Sequence, residues 1–291
     1  MEQPLKVLIA LYIALLLPLM STAQLVNKSD TEKELVAFID RFLVVAGNYD
    51  LDSMATMLTP DANIGIARIK DGTWQSSTMS VAQYFENARE RELRPYYEPV
   101  QAYSFLHSEG PLVLVKADAI LHEYGTPRSR NIDLFTVAKF EDGWKIVSVS
   151  FSTRRLPDEE RQFDIEAFAK AYAQAWCSQR KDFVALYFEE NGSLAVNDGE
   201  SAEGRKAIAE VAQSFMTDLP DMVVMYDSLV TTPTGYEFHW TLDSTYSGPG
   251  GNGKHARVSG YEEWIMGTNG RVLRSQGHFP SAEYNRQLGL E

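Results

Sequence analysis

One cysteine in 291 residues leaves no partner for an intramolecular disulfide, so the fold has to stand on its cores. That residue, Cys177, closes the run Tyr172-Ala173-Gln174-Ala175-Trp176-Cys177 on an apolar helix face, where a buried, inert thiol is expected. Histidine is nearly as scarce. The five, at 107, 122, 239, 255 and 278, include no HxH or HxxxH pair and no His/Cys cluster, so metal-ligand spacing is lacking and neither a metal nor a cofactor is expected. Basic residues are also in deficit, 27 against 40 acidic, for a net charge of −13. Most of the deficit lies in the second half: residues 24–157 carry 15 basic and 18 acidic groups, residues 158–291 carry 11 and 21. Without clustered Lys and Arg, nucleic acid and anionic membrane surfaces are excluded as partners. Long apolar runs are missing too, apart from the one after Lys6, which is interrupted by Pro18 and falls short of the roughly 20 residues a membrane span needs. With Ser21-Thr22-Ala23 behind it, the segment 1–23 reads as a cleaved signal peptide. An exported protein, periplasmic or secreted, is expected, with no membrane association after cleavage.

What remains is ordinary for a globular chain, 44% hydrophobic and 23% charged, and long enough for two domains. Thr31 and Glu34 have capping-box spacing, and Leu35, Phe38, Ile39, Phe42, Val45 and Ala46 follow at helical intervals. A short helix to Leu58, a strand from Asn63 to Ile69 and a helix capped by Ser80 and Gln83 come next. From Tyr96 the period changes to two, with strands at about 100–107, 112–124, 131–140 and 144–152. After the polar stretch Leu156-Pro157-Asp158-Glu159-Glu160 the order begins again. Ile165, Phe168, Ala169, Tyr172, Ala175 and Trp176 mark a second amphipathic helix, and four strands close the chain at about 222–229, 236–246, 256–266 and 272–279. Phe42 against Phe168 and Gly143 against Gly270 put the halves in register at offsets of 126 and 127, which points to a tandem duplication. Helices first and a meander afterward argue an α+β class.

This order resembles the nuclear transport factor 2-like superfamily. The first half is similar through Asp142-Gly143-Trp144-Lys145-Ile146-Val147 in the last hairpin. The second half resembles SnoaL-like polyketide cyclases through Leu219-Pro220-Asp221, His239-Trp240-Thr241-Leu242 running to Thr245-Tyr246-Ser247-Gly248, the Gly-rich connection after it, Asn269-Gly270-Arg271-Val272, and Arg286-Gln287-Leu288-Gly289. The resemblance implies two cone-shaped domains, 31–156 and 160–291, each with N-terminal helices packed on a bent antiparallel sheet. It also implies contact through exposed sheet faces, as an intramolecular pseudo-dimer or a homodimer.

Three functions are compatible with that fold, which hosts many chemistries. The first is binding of a small apolar molecule in the second cone, with Trp176, Tyr187, Trp240, Tyr246 and Trp264 as the expected ligand-binding residues. The second is a cofactor-independent isomerase or cyclase. The resemblance implies an acid near the end of the last strand, but Ser275-Gln276-Gly277-His278-Phe279-Pro280 has no carboxylate there, so His278 and Glu262 are the acid/base candidates. The third is a structural or assembly role. Period-two parity turns Trp240 inward with Phe238 and Leu242, and Glu262 to the same side as Trp264. In the first half Trp74, Tyr84, His107, His122, Glu123 and Asp133 fall near the expected cavity without forming a recognisable constellation.

Overall fold

The computed structural model describes residues 29–108 and 110–290; the expected signal peptide lies outside them. Among the described residues no helix is long and apolar enough to cross a membrane. Helix α1 (Asp30–Gly47) starts at a capping box formed by Ser29 and Glu32, two residues earlier than Thr31 and Glu34 would place it. It buries Leu35, Ile39, Phe42 and Leu43. The chain turns at Tyr49, whose φ is 53°, into α2 (Leu51–Met57), β1 (Leu58–Lys70), β2 (Thr73–Ser80) and α3 (Val81–Arg89), the last capped by Ser80 and Gln83 as expected. Strands β3 (Val100–His107), β4 (Leu112–Glu123), β5 (Thr126–Phe140) and β6 (Gly143–Arg155) complete the first unit.

The second unit repeats the plan. It consists of α4 (Ile165–Cys177), α5 (Lys181–Ala185), β7 (Phe188–Val196), β8 (Ala202–Glu203), α6 (Gly204–Asp218), β9 (Val223–Thr231), β10 (Tyr236–Thr245), β11 (His255–Met266), β12 (Val272–His278) and α7 (Ser281–Leu288). The two six-stranded sheets have the same order, β2-β1-β6-β5-β4-β3 and β8-β7-β12-β11-β10-β9. The class is therefore α+β with two tandem units. The sheets are mixed rather than antiparallel throughout: β1 runs parallel to β6, and β7 to β12. A strand leaving the helices and returning beside the last strand of its meander reaches it through a long connection, which is what a parallel pair requires.

The repeat is regular, but its helical offset is 130 rather than 126. Helix α1 ends at the cap Asn48 followed by Tyr49 (φ 53°), and α4 ends at the cap Ser178 followed by Gln179 (φ 56°). Leu58 opens β1 opposite Ile146, and Phe188 opens β7 opposite Val272. By this match Tyr172, not Phe168, stands where Phe42 stands. The last strands keep the offset of 126, Ile146 to Val272. The β5–β6 and β11–β12 ladders also share a one-residue slip, at Thr136/Val137 and at Ile265/Met266, which fixes their relative register.

Each unit has its own core, and α4 belongs to both surfaces. The sequence Ile-Glu-Ala-Phe-Ala-Lys-Ala-Tyr-Ala-Gln-Ala-Trp-Cys buries residues on every side, Ala167 through Trp176 except Lys170, so it is not the one-faced helix that periodicity suggests. One side packs the second core through Phe168, Tyr172 and Trp176. The other side meets the first unit. The Gln174 side chain donates to Asn48 Oδ1 (3.2 Å) and to the Tyr96 carbonyl (3.0 Å), and Asn48 donates back to the Gln174 carbonyl (3.3 Å). The β4–β5 turn, Tyr124-Gly125, docks beside it: Tyr124 packs edge-on to Tyr187 with ring centroids 5.3 Å apart, the Arg271 guanidinium lies 3.9 Å from its ring, and Asp164 N–H donates to the Gly125 carbonyl (2.8 Å). The units thus meet through a helix and a turn. The expected contact between sheet faces is not what joins them, and Leu106, Leu114 and Leu134 on the outer face of the first sheet stay exposed.

Gly125 is held at φ 77°, and a Cβ there would lie 2.7 Å from Phe168 Cβ and 2.8 Å from the Asp164 carbonyl oxygen. Gly125→Ala is expected to cost more than about 1 kcal/mol, because both the left-handed backbone and the close approach oppose a side chain. Urea unfolding checks this, and proteolysis near Pro157 should accelerate in the variant.

Candidate functional site

The two units carry cavities at matching places, on the helix-facing side of each sheet, with opposite chemistry. In the second unit β10 turns Phe238, Trp240 and Leu242 inward, and β11 turns Val258, Glu262 and Trp264. Phe238 and Trp264 stack with centroids 4.8 Å apart, and Tyr172 packs edge-on to both at 5.6 and 5.3 Å. This aromatic layer fills most of the interior. What remains is a cavity of ≈ 70 Å³, almost wholly apolar, walled by Trp176, Trp240, Leu242, Val258, Phe279 and Tyr284 among others. The indole N–H of Trp240 is buried without a hydrogen-bond partner.

Of the expected ligand-binding residues, Trp176 and Trp240 line this cavity. Trp264 and Tyr187 lie beneath it as fully buried core, and Tyr246 sits half-buried just past the end of β10. Glu262 also reaches the cavity but is held chiefly through one oxygen: Tyr172 OH (3.2 Å), Trp264 Nε1 (2.9 Å) and Ser275 Oγ (2.6 Å) all donate to its Oε2. Burial raises its pKa, and those three hydrogen bonds pull against the rise. His278 is elsewhere. Glu262 pairs across the ladder with Gly277, so the neighbouring His278 points to the outer face. There it stacks on Tyr261 (4.8 Å), which also carries His239 (5.5 Å), and its Nε2 lies 3.9 Å from Glu263. The expected acid/base pair is therefore not brought together, because strand parity, and not distance along the chain, decides the side.

The first-unit cavity is larger, ≈ 200 Å³, and holds two carboxylates, Glu98 and Asp133. Register explains both features. Asp133 pairs with Phe151 on β6 and Ala117 on β4, as Glu262 pairs with Gly277 on β12 and Phe238 on β10, so Asp133 occupies the position of Glu262. Two residues away, Asn131 faces Ala119 where Gly260 faces Trp240. Alanines thus stand in the first unit where the second has Phe and Trp, and the space opens. The three donors around Glu262 are also gone. Phe42 stands for Tyr172, Phe135 for Trp264 and Val149 for Ser275, keeping the edge-on ring pair (Phe42 and Phe135, 5.8 Å) without a hydroxyl or an N–H.

Asp133 is only 4% exposed, and its Oδ2 is buried without a hydrogen-bond partner. Glu98 comes from the irregular stretch before β3 and accepts a hydrogen bond from the Asn131 amide, whose own oxygen accepts from Ser129 Oγ (3.1 Å). Burial raises the Glu98 pKa to about 7. Burial first, and the Glu98 charge next, raise that of Asp133 to about 8. Glu98 was not among the candidates read from the sequence. Tyr84 was, and it lines this cavity with Asp133. Trp74 and His107 are exposed, His107 lying 3.4 Å from Glu32; Glu123 pairs with Arg128 at the surface; and the buried His122 bonds the Ile120 carbonyl (2.9 Å).

No protein-family model matches the chain, and no curated protein matches it. Solved structures do. A hypothetical protein with a ketosteroid isomerase-like fold from Catenulispora acidiphila, in complex with trimethylamine, is 13% identical, with a TM-score of 0.38 over 41% of this chain and 90% of its own. A protein assigned as a SnoaL-like polyketide cyclase from Jannaschia is 11% identical, TM-score 0.35, over 38% and 79%. A nuclear transport factor 2-like protein of unknown function from Burkholderia pseudomallei is 18% identical, TM-score 0.36, over 40% and 91%. These are nuclear transport factor 2-like folds. Each covers about 40% of this chain.

The matched carboxylates make opposite predictions. Glu262→Leu strands the three buried donors that meet at Glu262 Oε2, so it should lower stability by more than about 2 kcal/mol at neutral pH. Asp133 holds its proton more tightly folded than unfolded, so its effect on stability is neutral near pH 4 and becomes a growing penalty as the pH rises toward about 8. Asp133→Asn should therefore match the wild type at about pH 4 and exceed it by more than about 1 kcal/mol at pH 8, read from urea unfolding at both values.

Proposed function

We propose that the protein binds small molecules without a cofactor, and that the second unit takes a small apolar group carrying one hydrogen-bond acceptor. The observation that carries this reading is the ≈ 70 Å³ cavity with its near-complete apolar lining and the unpartnered Trp240 N–H in its wall. Apolar lining with one placed polar group is the usual composition of a binding site. The volume selects for size: an engineered cavity of about 150 Å³ accepts benzene, so half of that suits a small ring or a branched alkyl end and excludes a fused polyketide. Cyclase chemistry on a large substrate is thereby disfavoured in this unit, as is acid/base work by Glu262 with His278, whose side chains face opposite sides of the sheet. A purely structural role would leave the Trp240 N–H without a use.

The test compares cyclopentanone with cyclopentane on the full chain by thermal unfolding. Cyclopentanone should raise the melting temperature saturably and more than cyclopentane, because only the ketone can accept from Trp240. Val258→Phe, which fills the cavity at a cost of about 1–3 kcal/mol in packing strain, should abolish both shifts. Equal shifts in the wild type and in Val258→Phe would refute the reading.

A further inference from the structure

We propose that the first-unit cavity is a binding site for a small organic ammonium ion, held between Asp133 and Glu98 and walled by the rings of Tyr49, Tyr84 and Tyr96. The argument starts from energy. A buried carboxylate without donors is costly, and the fold itself has no need of this one. The same sheet position in the second unit shows what a structural carboxylate looks like, with a hydroxyl, an indole N–H and a second hydroxyl donating to Glu262. Asp133 has Phe42, Phe135 and Val149 at those places; its Oδ2 has no hydrogen-bond partner, and the residue lines a cavity large enough to admit a ligand.

The second carboxylate is oriented rather than loose. Asn131 donates to Glu98 Oε1 and is itself fixed by Ser129, so the acid is positioned from one side only. Among the described residues no Lys or His lines the cavity. Arg91 is the one basic side chain among the lining residues and lies exposed at the rim. Asp118 and Arg130, from β4 and β5, pair with each other on the opposite sheet face. The remaining walls are apolar and aromatic, with Tyr49 and Tyr96 packed edge-on at 6.2 Å. Anionic groups among ring faces form a cage for a cation that is itself apolar-coated, since each ring face attracts positive charge. A bare metal ion is a poor fit, because calcium takes 6–8 oxygens, mostly carboxylate and carbonyl, and among the described residues no group of three or more His, Cys, Asp or Glu could hold a metal.

The cage has a built-in pH dependence. Around Asp133 and Glu98 stand Tyr84 and Arg91 from the third helix and its end, Tyr49 from the α1–α2 turn, and Tyr96 from the stretch before β3; Asp118 acts through the sheet. Both acids retain protons near neutrality, so an arriving ammonium ion has to displace one. Affinity for a permanent cation should accordingly rise with pH through about 7 to 8 and level off above.

Isothermal titration of the full chain with tetramethylammonium chloride, against sodium chloride and tert-butanol as controls, tests the site. Saturable binding of tetramethylammonium is expected, tightening about tenfold between about pH 6 and pH 8.5, with proton release at the lower pH. Asp133→Asn and Glu98→Gln should each weaken it about tenfold or more, and Asp118→Asn should leave it within about twofold. Val258→Phe, which tests the second unit, should not affect it, so the two sites stand or fall separately. No binding, tert-butanol binding as tightly as the cation, or a wild-type affinity independent of pH would each overturn the proposal.

Discussion

A carboxylate at one position of a sheet, with or without donors, separates the two halves of this protein. In the second unit Glu262 sits at the centre of an aromatic layer and accepts from two of its members, Tyr172 and Trp264, and from Ser275 on β12. The rings of Phe238, Trp264 and Tyr172 close around it, and the carboxylate ties β11 to β12 and to α4 in one network. Buried networks of this kind hold when every member is satisfied and are costly when one is not. In the first unit the ring geometry survives in Phe42 and Phe135, but the polar atoms have been withdrawn and Asp133 is left exposed to the cavity alone. One scaffold thus shows a carboxylate as structure and a carboxylate as potential chemistry.

Much of the fold was legible in the sequence because its elements have one buried side. Strands β3, β10 and β11 fall within a residue or so of where alternation places them, and the Ser80/Gln83 cap is where its spacing puts it. Strand β2 gave no signal since nearly all of it is exposed, leaving nothing to alternate. The parallel pairings escaped for a different reason: the sense of a strand pair is set by how the intervening chain travels, and not by residue type.

The site was less legible, and the reasons are specific. Inward parity for Trp240 and Glu262 could be read along single strands. Whether His278 joins Glu262 depends on how two strands register, and Gly277 rather than His278 falls opposite. Glu98 lies in Tyr96-Tyr97-Glu98-Pro99, ahead of the regular strand β3, and comes into one cavity with Asp133 across 35 positions of chain. Its partnership is a product of tertiary structure. The signal that could have raised suspicion is the pair Ala117 and Ala119 inside β4, small residues on a face where large ones would fill the core.

Helix α4 turns little to water beyond Glu166 and Lys170, because its five alanines let one flank press on the first unit while the other closes the second core. A surface shared in this way makes the halves poor candidates for dissection. Either fragment made alone would present a raw greasy scar where its neighbour had been, and would sooner clump than behave as a free-standing module.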